Sequence, residues 1–163
     1  MATDAPWTLR QLGPQDLAAM HALLDTFSEA FEDPEHYAAN RPDAPYLQRL
    51  LASDGFIVLV AEQAGRVLGG LAAYVLPKFE QARSEVYIYD LAVRADSRRR
   101  GIATGLIQHL KTLAAERGAW VVYVQADTDP EDQAAIALYE KLGRREEVLH
   151  FDIPVDGAAA RRG

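Results

Sequence analysis

The middle of the chain reads Ser84-Glu85-Val86-Tyr87-Ile88-Tyr89-Asp90-Leu91-Ala92-Val93, then Arg94-Ala95-Asp96-Ser97-Arg98-Arg99-Arg100-Gly101-Ile102-Ala103-Thr104. The first ten residues are rich in β-branched and aromatic types and predict a strand. A basic loop follows, and Ile102, Leu106, Leu110, Leu113 and Ala114 recur at helical spacing up to Gly118. Small residues at Gly101 and Ala103 let a ligand approach the backbone closely. The first N–H groups of a helix have no partner within it, and its dipole favours an anion there. Arg98, Arg99 and Arg100 add fixed charge and bidentate donors in an otherwise acidic chain. A pyrophosphate is the natural ligand for such a place; the bland alternative is a solvated basic loop ahead of an ordinary helix. No Gly-Lys-Ser/Thr follows, so this is not a Walker loop. A single Gly excludes the dinucleotide fingerprint.

Outward from this unit, residues 7–12 alternate as a short opening strand, broken by Gly13-Pro14. Leu17, Met20, Leu23, Leu24, Phe27 and Phe31 predict a helix, with Pro14 suited to its first turn. An acidic, Pro-broken connection from Glu32 to Tyr37 leads to a second helix over residues 44–52, with Asp43 as N-cap and Pro45 at N1. Residues 56–61 and 67–75 read as a hairpin around Gln63-Ala64-Gly65-Arg66, with Gly69-Gly70 permitting a kink or bulge. Residues 120–124 form another β-branched run, 134–142 a short helix ended by Gly143, and 148–153 a last strand. The pattern predicts one α/β domain over residues 1–153, with about four helices flanking a mixed, mostly antiparallel sheet, and a flexible tail over 154–163.

The chain has 163 residues, enough to bury a core without staples. It lacks cysteine, which removes disulfides, thiolate metal sites and a cysteine nucleophile. Its four histidines show no metal-ligand spacing, so no metal is expected. With 17 Lys and Arg against 24 Asp and Glu, the net charge is −7. That repels nucleic acid and anionic membranes and admits a cationic partner. No apolar run approaches the length of a membrane span and no secretory signal is visible at the start, so a cytoplasmic protein is expected.

Arg98-x-x-Gly101-x-Ala103, the preceding Leu-Ala-Val, and Ala137-Leu138-Tyr139-Glu140-Lys141-Leu142-Gly143 resemble, in order, the motifs of the GNAT family of N-acetyltransferases. Tyr87-Ile88-Tyr89-Asp90, Tyr123-Val124-Gln125-Ala126-Asp127 and the run Arg145 to Ile153 are more closely similar to the type I aminoglycoside 3-N-acetyltransferases. The resemblance implies acetyl-CoA as co-substrate. Its pyrophosphate would lie on the N–H groups from Arg99 to Ala103, Ile102 among them, beside Arg98 and Thr104. Its pantetheine arm would pair along Leu91, Ala92 and Val93 like an added strand, and an N–H there would bind the carbonyl oxygen as charge develops. Asp132 stands where many members have Asn, and Arg144 where an aromatic often follows the Gly. The resemblance also implies acetylation of a cationic amine at the 3-position of 2-deoxystreptamine. A homodimer is common in the family.

Within this frame, Tyr139 is the candidate general acid for the departing thiolate, since a phenol near ~10 can protonate a thiol near ~8.5 at a small uphill cost. The alternative for Tyr139 is a packed amphipathic side chain. Asp90, a carboxylate in an apolar strand, is the candidate base; the alternative is an edge or bulge residue facing water. Strand alternation puts Tyr87 and Tyr89 on the face opposite Asp90. Glu35, Tyr89, Asp127, Asp129 and Asp152 are candidates for holding a polyamine sugar, though each acid taken alone reads as solvated surface. Two other functions stay open: acetylation of a polyamine, lysine or protein N-terminus, and CoA binding without turnover.

Overall fold

The computed structural model describes residues 6–157. Strands β1 (Thr8–Gln11), β2 (Phe56–Gln63), β3 (Arg66–Pro77), β4 (Ser84–Val93) and β5 (Ala119–Val124) form one sheet in the order β1-β2-β3-β4-β5. The first three pairings are antiparallel, and β4–β5 is parallel. The parallel pair requires a crossover, which helix α3 (Ile102–Glu116) supplies. Helices α1 (Leu17–Ala30) and α2 (Ala44–Ala52) come between β1 and β2, and α4 (Gln133–Leu142) follows β5. This is the mixed, mostly antiparallel α/β fold that the sequence implies. Among the described residues no helix is long and apolar enough to cross a membrane.

Chain contacts separate residues 1–125 from residues 126–163. The first unit contains the whole sheet and α1 to α3. Alternation along β2 gives it two apolar faces. Val58 and Val60 face a cluster built from Met20, Leu23 and Phe27 of α1 and Leu47 and Leu51 of α2. Leu59 and Leu71 lie on the other face, the side of α3, whose Ile102, Leu106 and Leu110 are buried. Helix α1 crosses β3 at Gly70, where a Cβ would stand 2.5 Å from the Leu59 carbonyl and 2.7 Å from a Leu23 methyl. The small residue is what lets the helix approach.

Local capping follows the sequence at α2, where the Asp43 side chain accepts from the Tyr46 N–H at 3.0 Å and proline occupies the first turn. At α1 the expectation for Pro14 is corrected. The helix begins three residues later, and Asp16 is its N-cap, with the Gly13 N–H donating to Asp16 Oδ2 at 2.7 Å.

The second unit carries α4 and a segment without regular secondary structure after it. The strand expected over 148–153 is not formed: these residues have no strand pairing, and Val148, Leu149, Phe151 and Ile153 are exposed. β-propensity describes side chains suited to a pleated surface; a strand also needs a ladder partner, and none is present among the described residues. Residues 1–5, read for a signal, and residues 158–163 of the expected tail lie outside the described residues.

Candidate active site

β4 is not a regular strand. Against β3, Asp90 pairs with Ala72 and Ile88 pairs with Ala73, so Tyr89 is an extra residue without a partner. This bulge changes which way Asp90 points. Cross-strand partners share a face. Tyr87 partners Tyr74, which packs on Phe56 at 5.1 Å, and Asp90 partners Ala72. Phe56, Ala72 and Ala92 belong to the cluster under α1 and α2. Asp90 therefore lies on the same face as Tyr87, not opposite it. Plain alternation, which predicts the opposite face, is corrected here. Without the extra residue Asp90 would follow Val86 and Ile88 toward α3.

On that face Asp90 is half-buried, and the Tyr37 hydroxyl donates to Asp90 Oδ1 at 3.0 Å. Burial raises the Asp90 carboxyl above the ordinary carboxylate range, while the Tyr37 bond and the nearby His36 pull it back down. Tyr37 itself is pushed up, by burial first and then by the Asp90 charge, so it remains a phenol and a donor. Beside them an aromatic group forms. Tyr89 is 55% exposed and makes edge contacts with Tyr74 and Tyr87, both at 5.9 Å, and Tyr87 stacks on Tyr123 at 4.7 Å. Desolvation raises Tyr74, Tyr87 and Tyr123 as well.

The sequence reading passed over Tyr37. It sits in the acidic connection between α1 and α2, on a π-helical turn, Glu35–Ala39. Nothing local marks it, because its partner is 53 residues away. Glu35, on the same turn, is exposed to solvent.

The two parallel strands part company at the site. β4 pairs with β5 from Ser84 to Ile88. Beyond that, residues 90–93 still pair with β3, but their other edge has no strand among the described residues. An open edge offers alternating N–H and C=O groups to an extended ligand containing amides. Leu91, Ala92 and Val93 lie on it. The Arg98 Nε–H donates to the Val93 carbonyl at 3.4 Å, tying the basic loop to the strand end.

The loop then turns through two left-handed residues, Arg99 (φ 62°) and Gly101 (φ 77°). Gly101 is the N-cap of α3, with no side-chain cap and no acid in the first helical turn. A Cβ at Gly101 would meet nothing within 4 Å. Arg98, Arg99, Arg100 and Gly101 are exposed, Ile102 is buried as an anchor, and Ala103 and Thr104 are partly covered. Open helix-start N–H groups, cationic neighbours and an adjacent strand edge suit the pyrophosphate and amides of acetyl-CoA.

The second unit holds the remaining candidates. Asp127, Asp129 and Asp132 gather with carboxylate oxygens within 4.8 Å of one another, and Asp132 is the N-cap of α4. Tyr139 is partly buried on α4, and its carbonyl caps the helix by accepting from Gly143 N–H at 2.8 Å. Asp152 is exposed and pairs with His150 at 2.9 Å. The structure thus brings Asp90, Tyr89 and residues 91–104 into one unit, and groups three of the acids in the other.

Residues 18–143 match the acetyltransferase (GNAT) family. Among solved structures, aminoglycoside acetyltransferase HMB0005 from an uncultured soil metagenomic sample is 62% identical, with a TM-score of 0.91 over 93% of this chain and 99% of its own. Aminoglycoside acetyltransferase meta-AAC0020, also from an uncultured soil metagenomic sample and solved with sisomicin, is 32% identical, with a TM-score of 0.83 over 92% and 97%. The L-2,4-diaminobutyric acid acetyltransferase of Wolinella succinogenes is 29% identical over 68% of this chain, which spans 62% of that relative's length. The open strand edge and the uncapped helix start lie inside the matched residues, and this chain belongs to the GNAT family of acetyltransferases, enzymes that use acetyl-CoA.

Proposed function

We propose that the enzyme transfers acetyl directly from acetyl-CoA to an amino group of an aminoglycoside, the 3-amino group of 2-deoxystreptamine. The observation that carries the reading is Asp90, turned by the bulge onto the face of Tyr74 and Tyr87 beside an open strand edge and hydrogen-bonded there by Tyr37. The aminoglycoside acetyltransferase at 62% identity supports the substrate class.

The donor would be held by the backbone of residues 91–93, by Arg98, Arg99 and Arg100, by the N–H groups from Arg99 to Ala103 with Thr104 next to them, and by Asp132. Acetyl-CoA supplies an acyl group already activated as a thioester. Asp90 accepts the proton that the substrate nitrogen must lose, directly or through water. Burial makes it a better base than an exposed carboxylate. The Tyr139 hydroxyl gives a proton to the departing sulfur. Tyr89 offers an aromatic face to the apolar side of a sugar ring. Glu35, Asp127, Asp129 and Asp152 contribute negative charge toward a polycation.

A second reading, acetylation of a small diamino acid, is favoured by the curated relatives named L-2,4-diaminobutyric acid acetyltransferases. Thiol release from acetyl-CoA separates the two. The expected acceptors are sisomicin and neamine, with at least tenfold loss of kcat/KM when the 3-amino group is blocked. Equal turnover of the blocked ligands, or better turnover of L-2,4-diaminobutyrate or spermidine, would replace the aminoglycoside reading.

A further inference from the structure

Tyr37 is held more firmly than a solvent-side tyrosine needs to be. Its ring lies 5.8 Å from Phe27, 5.5 Å from Phe31 and 4.8 Å from His36. Its carbonyl accepts from Arg41 Nε–H at 2.9 Å. The same guanidinium reaches two side chains of α1, pairing with Asp25 and lying 3.4 Å from His21 Nδ1. The Asp33 carboxylate accepts from the His36 N–H at 3.0 Å at the start of the turn. Ring, carbonyl and turn entry are all fixed, and what they deliver is one hydroxyl to Asp90 Oδ1. A one-turn π-helix in a connection between two helices is uncommon, and here it sets the direction of that hydroxyl.

We propose that Tyr37 is a positioning residue for Asp90: its hydroxyl occupies Oδ1 as a standing donor, holds the half-buried carboxylate in its ionised form, and leaves Oδ2 as the oxygen that takes the substrate proton. The inference rests on the reading of Asp90 as the base. In the step it serves, the N–H bond of the substrate breaks, its electron pair stays on nitrogen for attack on the acyl carbon, and Oδ2 gains the proton. The groups around the carboxylate are consistent with this division. His36 and Tyr37 come from the turn, Tyr74 from β3, and Tyr87 and Tyr89 from β4; Arg94, four residues further along the chain, is paired with Glu29 of α1 at 3.5 Å. Tyr37 is the donor that touches the carboxylate.

The test is Tyr37→Phe, which keeps the ring contacts and removes only the hydroxyl. A hydrogen bond to the charged form lowers a carboxyl pKa, so its loss moves the acid limb of kcat/KM to higher pH, by on the order of one unit. The Asp90 carboxyl, followed by 13C NMR in the free enzyme, moves by the same amount. Affinity for acetyl-CoA stays within about twofold. Arg41→Lys keeps a charge beside Asp25 but loosens the hold on the Tyr37 carbonyl, and shifts both readings the same way by less. An acid limb and a carboxyl titration unmoved in both variants would overturn the proposal. Asp90→Asn separates this from the underlying reading. Full activity there removes Asp90 as base, and the NMR titration alone then decides whether Tyr37 controls the carboxyl.

Discussion

Asp90 is a residue whose usefulness and whose cost have one origin. Taking a carboxylate out of water costs several kcal/mol when it lacks partners, and one phenol hydrogen bond offsets part of that. The net effect is a folded-state carboxyl raised above its ordinary value. A raised carboxyl binds its proton more tightly folded than unfolded. Stability from this group is therefore greatest at low pH and is lost as pH rises from the unfolded value through the folded one. At neutral pH Asp90 is a burden on the fold. Asp90→Asn should accordingly melt higher than wild type at pH 7, by about 2–4 °C for each kcal/mol regained, and the gain should vanish as the pH drops below the carboxylate range. Calorimetry at pH 7 and pH 3 checks it; a lower Tm at pH 7 would mean that the Tyr37 bond outweighs desolvation.

At the scale of elements, what could be read beforehand depended on whether the determinant was local. Asp43 and Pro45 start α2 by chemistry contained in one turn, and β4 begins at Ser84 and ends at Val93 as its composition predicts. The bulge was not legible, because it exists only in the register with Ala72 and Ala73. Tyr37 was hidden for the same reason, and residues 148–153 show the converse, strand-like side chains with no ladder to join. The start of α3 was legible because small residues, arginines and the helix itself are contiguous. It carries a prediction in which two effects compete. Gly101→Asp puts a side chain on a left-handed residue, at about 1 kcal/mol, but the space is open and an acid at a helix start recovers a few tenths. The fold should survive with Tm lowered by a few degrees. Acetyl-CoA affinity, measured by calorimetric titration, should fall at least tenfold from charge repulsion, and much less in Gly101→Ala. Equal affinity in wild type and Gly101→Asp would remove the pyrophosphate from this helix.

For the molecule as a whole, a net charge of −7 surrounds one dense cationic loop, so the surface favours an anionic donor at one place and a cationic acceptor elsewhere. Screening tests the acceptor half. The Debye length shrinks from about 10 Å at 0.1 M salt to about 3 Å at 1 M. At saturating acetyl-CoA, kcat/KM for a polyamino acceptor should fall more steeply with salt than that for a monoamine; parallel slopes would mean that the acids do not act together. The bulge has a consequence of another kind. A strand has a reading frame of two, and Tyr89 resets it by one count. Tyr89 is therefore the interior position of β4 whose deletion leaves its neighbours on their present faces, whereas losing Leu91 would exchange side chains between the two faces of the sheet. Descendants of this enzyme can revise side chains anywhere along β4, but a change in its length is tolerated at the bulge and nowhere else between Val86 and Val93.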